Sequence, residues 1–161
     1  ADRRAPVVAE RYIKGGLLYR EKHGRNYWED LRSCESSSSR YLFGDELLWY
    51  AQPVPLGERE VRCILPIVTL EEFPSCIESF AEDLLTIIGM YRNLGTHAFN
   101  MALFFGKSGE KNSFSAFCSI ISRINPNTAS MSDTAFMERL HLEPVILTLP
   151  EDLGDFYRKG R

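Results

Sequence analysis

"FNMALFFGKSGEKNSFSAFCSII", residues 99–121, decides the fold, because two apolar runs flank a polar, glycine-bearing segment. Residues 99–106 and 113–121 read as strands and "GKSGEKN" as the turn between them, which predicts an antiparallel hairpin. The second strand has two unlike faces. Period-two alternation puts Ala116, Cys118 and Ile120 on one side and Ser115, Phe117 and Ser119 on the other. The first set suits a core. The second carries hydroxyls and a phenyl ring, where many enzymes would carry histidines or carboxylates.

Upstream, "PSCIESFAEDLLTIIGMYRNLG" (74–95) repeats Ile77, Phe80, Ala81, Leu84, Leu85, Ile88 and Tyr91 at helical spacing. Ser75 is the expected N-cap and Gly95 the expected stop. "YREKHGRNYWEDLRSCE" (19–35) breaks at Gly24 and then places Tyr27, Trp28, Leu31 and Cys34 along one side of a helix. Two short strands are expected around Gly44-Asp45, and another over Val61–Leu65, after Gly57 and before Pro66. A short helix near 132–140 and a last one over 150–159 complete the pattern. Strands in the middle with helices before and after predict an α+β fold, an antiparallel sheet with helices packed on it. Residues 1–18 are expected to be an N-terminal arm, extended or frayed over its first sixteen residues, and 19–161 a single domain.

The 161 residues are enough for one domain with its own core, and 44% hydrophobic content with 12% aromatics is globular. A net charge of −3 offers no basic field for nucleic acid. The richest apolar stretch, "LLTIIGMY", is far too short to span a bilayer, so no membrane partner is expected. The first sixteen residues lack the apolar segment of a secretory signal, and the chain starts without Met, as expected of a piece of something longer. Cys34, Cys63, Cys76 and Cys118 show no Cys-x-x-Cys spacing and lie away from the histidines. They are expected to be reduced and mostly buried, which favours the cytoplasm.

Few motifs promise chemistry. Gly106-Lys107-Ser108 could end a phosphate loop, but the motif needs a glycine where Met101 stands. His23, His97 and His141 are scattered, without metal-site spacing, and read as surface or capping residues. A Cys118–His97 nucleophile pair is conceivable across adjacent strands but has no support in the sequence. Glu151 and Asp152 follow Pro150 and serve a helix N-terminus; Glu138 and Glu143 are ambiguous. "CESSSSR" (34–40) reads as a solvated loop before it reads as a phosphate cradle.

Several stretches, in order, resemble the C-terminal half of the galactose-1-phosphate uridylyltransferases, members of the histidine-triad superfamily. "YREKHGRNYWEDL" resembles the start of that half, and "LLWYAQPVPLGEREVRCILP" its strand-turn-strand ending in "LLP". "FAEDLLTIIGMYRNLG" resembles the long helix that ends Tyr-Asp-Asn-Leu, here Tyr91-Arg92-Asn93-Leu94. "FNMALFFG", "DTAFME" and "TLPEDL" follow in register, so the likeness runs from about Tyr19 to Lys159. It implies an antiparallel sheet with packed helices, histidine-triad-like. It also implies a two-half subunit whose catalytic His-Pro-His lies in the other half. Where the family's second half lines a metal site with histidines, this chain has Ser115, Phe117 and Ser119, and Thr69 stands where a His follows "LLP". A hydroxyl is a poor transition-metal ligand and a phenyl ring is none. Ser132 and Asp133 stand in place of the family's lysine, and Met137 in place of its aromatic. Glu138, which in the family helps hold the hexose, and Asn100 survive.

The resemblance therefore implies no catalytic residue, no metal and no cofactor in this chain. It implies instead a non-catalytic half of a uridylyltransferase-like protein of galactose metabolism. Such a half would help bind a sugar phosphate or uridine nucleotide and form a homodimer, or pair with the N-terminal half of the same protein. The chain alone is expected to be inactive, any activity being hexose-1-phosphate uridylyltransferase-like and belonging to a longer protein. The alternative is a stand-alone binding or interaction module, a pseudoenzyme that has lost catalysis. A hydrolase using Cys118 or Ser119 is disfavoured, because neither has a base placed beside it.

Overall fold

The structure, a computed structural model, describes residues 7–107, 114–123 and 146–160. Two helices come first, α1 (Val7–His23) and α2 (Tyr27–Ser36), followed by β1 (Tyr41–Phe43), β2 (Leu48–Ala51) and β3 (Val61–Ile64). A short 3₁₀ helix, Leu70–Ser75, leads into α3 (Ile77–Asn93); then come β4 (Phe99–Phe104), β5 (Phe117–Ser122) and α4 (Pro150–Lys159). The five strands form one sheet in the order β1-β2-β3-β5-β4, with every neighbour antiparallel. The expected hairpin is present as the β4–β5 pair, in register from Phe99↔Ser122 to Phe104↔Phe117. The α+β expectation holds.

Alternation along the central strands builds two cores. Trp49, Val61, Cys63, Ala116, Cys118 and Ile120 face Phe80, Ile87, Met90 and Tyr91 of α3 and Leu153 and Tyr157 of α4. On the other side Leu48, Tyr50, Ile64, Phe114 and Phe117 meet Trp28 of α2, with Tyr12 and Ile13 of α1 packed against them. Gly44 has φ 88° between β1 and β2, and a Cβ there would stand 1.9 Å from the Leu47 carbonyl oxygen, so this turn requires glycine. Arg40 bridges Glu35 (3.0 Å) and Glu151 (2.9 Å), tying the first turn of α4 to the end of α2. Its hydrogen bond holds the Glu151 carboxyl below the usual range.

Four local expectations are corrected. Residues 7–23 are helical rather than an extended arm, and α1 runs through position 18. It carries two interior glycines and little amphipathic pattern, so periodicity gave no sign of it. Ser75 is not the N-cap of α3; its hydroxyl donates to the Glu72 carbonyl (2.7 Å) and Cys76 holds the cap position. Ile77 and Leu85 are exposed, so the buried stripe of α3 lies further round the helix than the pattern implied. Cys34 is exposed too, although Cys63 and Cys118 are buried and all four thiols are free. The helix expected near 132–140 lies outside the described residues. No helix among the described residues is long and apolar enough to cross a membrane.

Candidate functional site

The register of β3 against β5 sets Arg62 opposite Ser119, on the face that α1 and α2 cover. Glu60 immediately precedes β3 and reaches the same face. Its Oε1 accepts from Ser119 Oγ (2.7 Å) and from Arg62 Nε (2.7 Å), and its Oε2 accepts from the Leu56 amide (2.5 Å). Arg62 also donates to the Tyr12 hydroxyl, and its guanidinium carbon lies 5.3 Å from the ring centroids of both Tyr12 and Phe117. Burial is the largest influence and would lower the arginine's pKa, but the Glu60 charge together with the Tyr12 and Tyr50 hydroxyls outweighs it and holds the value raised. Ser119 is thus spent on a buried ion pair. Phe117 is buried at the centre of an aromatic cluster, 4.7 Å from Phe104 and 5.0 Å from Tyr12 between centroids.

Ser115 has an equally local duty. The Leu65 amide donates to the Ala116 carbonyl, but the Ala116 amide donates to Ile67, so the ladder leaves the Leu65 carbonyl without its return bond. Ser115 Oγ supplies it at 2.7 Å. Ser115→Ala is therefore expected to destabilise the fold by about 1–2 kcal/mol, since a strand carbonyl loses its donor. Chemical denaturation measures this, and an unchanged midpoint would free Ser115 for another role. Thr69 caps the 3₁₀ helix, where the Glu72 carboxylate accepts from the Val68 and Thr69 amides (3.0 Å each) and the Thr69 hydroxyl (3.3 Å). Asn100 is exposed on the edge strand β4, opposite Ile121. Glu138 lies outside the described residues, as do Ser132, Asp133, Met137, His141 and Glu143.

The remaining nucleophile and phosphate candidates are committed elsewhere. Cys118 sits in the core against α3, where burial pushes its thiol up to about 12, whereas His97 is exposed. Burial, and then the neighbouring Cys118, raise Cys63 as well. The loop serines 36–38 donate to the carbonyls of Ser33, Cys34 and Glu35 and to the Glu35 carboxylate. Among the described residues, no group of three or more His, Cys, Asp and Glu is placed to hold a metal. A cavity of about 390 Å³ opens beside Ser115 and is bordered by Asn26, Glu29, Arg32, Glu46 and Phe114. Arg32 is fixed there by bonds to the carbonyls of Asp45 (2.7 Å), Glu46 (2.9 Å) and Ile64 (3.3 Å). Among the described residues, Glu29, Glu46 and Glu72 share the lining with this one arginine, so carboxylates outnumber cations there.

Neither a protein-family model nor a curated protein matches the sequence. Solved structures do. A uridylyltransferase superposes with a TM-score of 0.79 at 13% identity, over 97% of this chain and 51% of its own. The fold is that of one half of a uridylyltransferase. An ADP-glucose phosphorylase from Arabidopsis thaliana, solved with bound ADP-glucose, matches at 0.73 with 12% identity, over 97% of this chain and 50% of that one. A GalT-like protein from the same organism gives 0.69 at 14%, over 97% and 51%. The chain spans about half the length of these structures.

On this uridylyltransferase-like frame, Phe117 and Ser119 lie on the face that α1 and α2 cover, whereas Ser115 bonds the end of β3 and Thr69 caps the 3₁₀ helix. What holds that face together went unseen in the sequence. Tyr12, Glu60 and Arg62 escaped notice, yet "EREVRCIL" (58–65) carried the signal. Val61, Cys63 and Leu65 alternate with Glu60, Arg62 and Ile64. A strand apolar on one face therefore carries two opposite charges in succession on the other.

Proposed function

We propose that the chain is the non-catalytic C-terminal half of a uridylyltransferase-like nucleotidyltransferase, contributing to a sugar-phosphate or nucleotide pocket and to a dimer. The observation that carries this reading is the match of nearly the whole chain to half of a uridylyltransferase. The use of Ser115, Ser119 and Thr69 for internal hydrogen bonds supports the non-catalytic part, as does the burial of Phe117. Those side chains stabilise the sheet and leave none of their groups for phosphoryl chemistry. Substrate contact falls to Glu138 and Asn100: a carboxylate accepts two hydrogen bonds from vicinal sugar hydroxyls, and an amide both donates and accepts. Location in the cytoplasm and a role in galactose metabolism belong to the same proposal.

Calorimetric titration with UDP-glucose and glucose-1-phosphate tests it. The expected result is weak binding, no transfer activity, and a loss of affinity in Glu138→Gln without a change in melting temperature. Silence at millimolar ligand would sink the pocket. A stand-alone interaction module is the second reading, favoured by the Glu60–Arg62 pair that fills the face carrying Phe117 and Ser119.

A further inference from the structure

α1, α2 and the turn between β2 and β3 border a groove of about 380 Å³, which shares Tyr12 with the Arg62 cluster. That is the size of a small-ligand pocket, and its lining is mostly apolar. Tyr12, Tyr19 and Tyr27 form its wall and Leu56, itself exposed, its rim. The Tyr19 and Tyr27 rings meet edge to face, 5.6 Å apart at 71°, and present a corner into which a flat ring can stack. The Tyr12 hydroxyl accepts from Arg62 and the Tyr19 hydroxyl donates to Asp30 (2.7 Å), which fixes both rings. The Tyr27 hydroxyl makes no hydrogen bond among the described residues.

Charge points the same way. Among the described residues, Arg11 is the one charged residue on the lining and makes no hydrogen bond or ion pair. The nearby carboxylate, Asp30, is already neutralised by Arg25 at 3.1 Å. The floor is a helix glycine with no purpose internal to the fold. A Cβ on Gly15 would meet nothing within 4 Å, so packing does not require glycine there, although an interior helix glycine is destabilising relative to alanine. What Gly15 preserves is open space over the groove.

We infer that this groove binds a planar aromatic molecule carrying a negative charge, its ring stacked in the Tyr19–Tyr27 corner over Gly15 and its anion on Arg11. The inference does not rest on the sugar-phosphate reading, because Ser115, Ser119, Thr69 and Asn100 do not line the groove.

Titration calorimetry with 2-naphthoate tests it, alongside 2-naphthalenemethanol, which has the rings without the charge, and inorganic phosphate, which has the charge without the rings. Wild type is expected to bind naphthoate, to bind the alcohol at least about tenfold more weakly as a lost charge-assisted contact requires, and to give no heat with phosphate. Gly15→Leu fills the groove with a good helix former. It is expected to abolish naphthoate binding while the melting temperature holds or rises. Arg11→Gln, a change at an exposed position, should bring naphthoate down to the affinity of the alcohol. Competition with UMP separates sources: displacement assigns the groove to a nucleotide base, and no displacement assigns it to free aromatic acids. Absence of naphthoate binding at millimolar concentration overturns the inference. Undiminished binding in Gly15→Leu, or equal affinity for acid and alcohol, does so too.

Discussion

Glu60→Ala is expected to destabilise the fold by about 3–5 kcal/mol, the range for removing one partner of a buried ion pair. The Glu60 and Arg62 side chains are 0% and 4% exposed. Alanine at 60 leaves the Leu56 amide and the Ser119 hydroxyl without their acceptor and Arg62 as an uncompensated charge beneath Tyr12. The penalty therefore comes mainly from the stranded cation and little from lost attraction. A double replacement, Glu60→Met with Arg62→Met, removes both charges and keeps most of the volume. It should recover about 2 kcal/mol or more relative to Glu60→Ala, as apolar replacement of buried pairs does. Urea denaturation of the three proteins measures both quantities. A loss below about 1 kcal/mol in Glu60→Ala would mean that water reaches the pair, in line with the small contribution of exposed ion pairs. The face beneath α1 would then be an open site, where the geometry has it as filled core.

The same pair shows what was legible in the sequence. Element type was readable wherever one periodicity dominated: the β4–β5 hairpin, the glycine-marked turn at Gly44, α3 and α4 all stand close to where pattern and turn chemistry put them. The split of β5 into an Ala116–Cys118–Ile120 face and a Ser115–Phe117–Ser119 face was also readable, because β alternation is local. The partner of each face is a tertiary fact. Nothing in "SFSAFCSII" says that Ser119 will meet a glutamate 59 residues earlier, or that a tyrosine from α1 will close over Phe117. Ser115 is a case of its own. Its role depends on an irregular ladder in which the amides of Leu65 and Ala116 point to different partners, and such a shift leaves no trace in residue type. α1 was missed because its stability comes from Tyr12, Ile13 and Tyr19 docking on α2 and the sheet, with no continuous apolar stripe of its own.

Ile87→Ala is expected to cost about 2–5 kcal/mol, whereas Ile77→Ala and Leu85→Ala should each fall within about 0.5 kcal/mol of wild type. Ile87 is fully buried, while Ile77 and Leu85 are 46% and 69% exposed. The contrast is diagnostic because all three belong to one helix and the apolar pattern favoured the wrong two. Its stripe, read through Ile77, Phe80, Ala81, Leu84, Leu85, Ile88 and Tyr91, shares Phe80, Leu84 and Tyr91 with the face that packs, but that face turns away from Ile77 and Leu85 toward Ile87 and Met90. One cause is Asp83. Trp49 is wholly buried in β2, and its indole N–H needs an acceptor; Asp83 Oδ2 provides one at 2.8 Å. A carboxylate therefore holds an inward position between Phe80 and Ile87, where pattern reading assigns a solvent-facing turn. Burial raises the Asp83 pKa and the indole bond opposes that rise. This polar contact joins Phe80, which stacks on Trp49 at 5.7 Å, and the buried Ile87, Met90 and Tyr91 in phasing the helix. Thermal melts of the three alanine variants decide between the two phases: equal losses at Ile77 and Ile87 would return α3 to the face its apolar spacing suggests and remove Asp83 from Trp49.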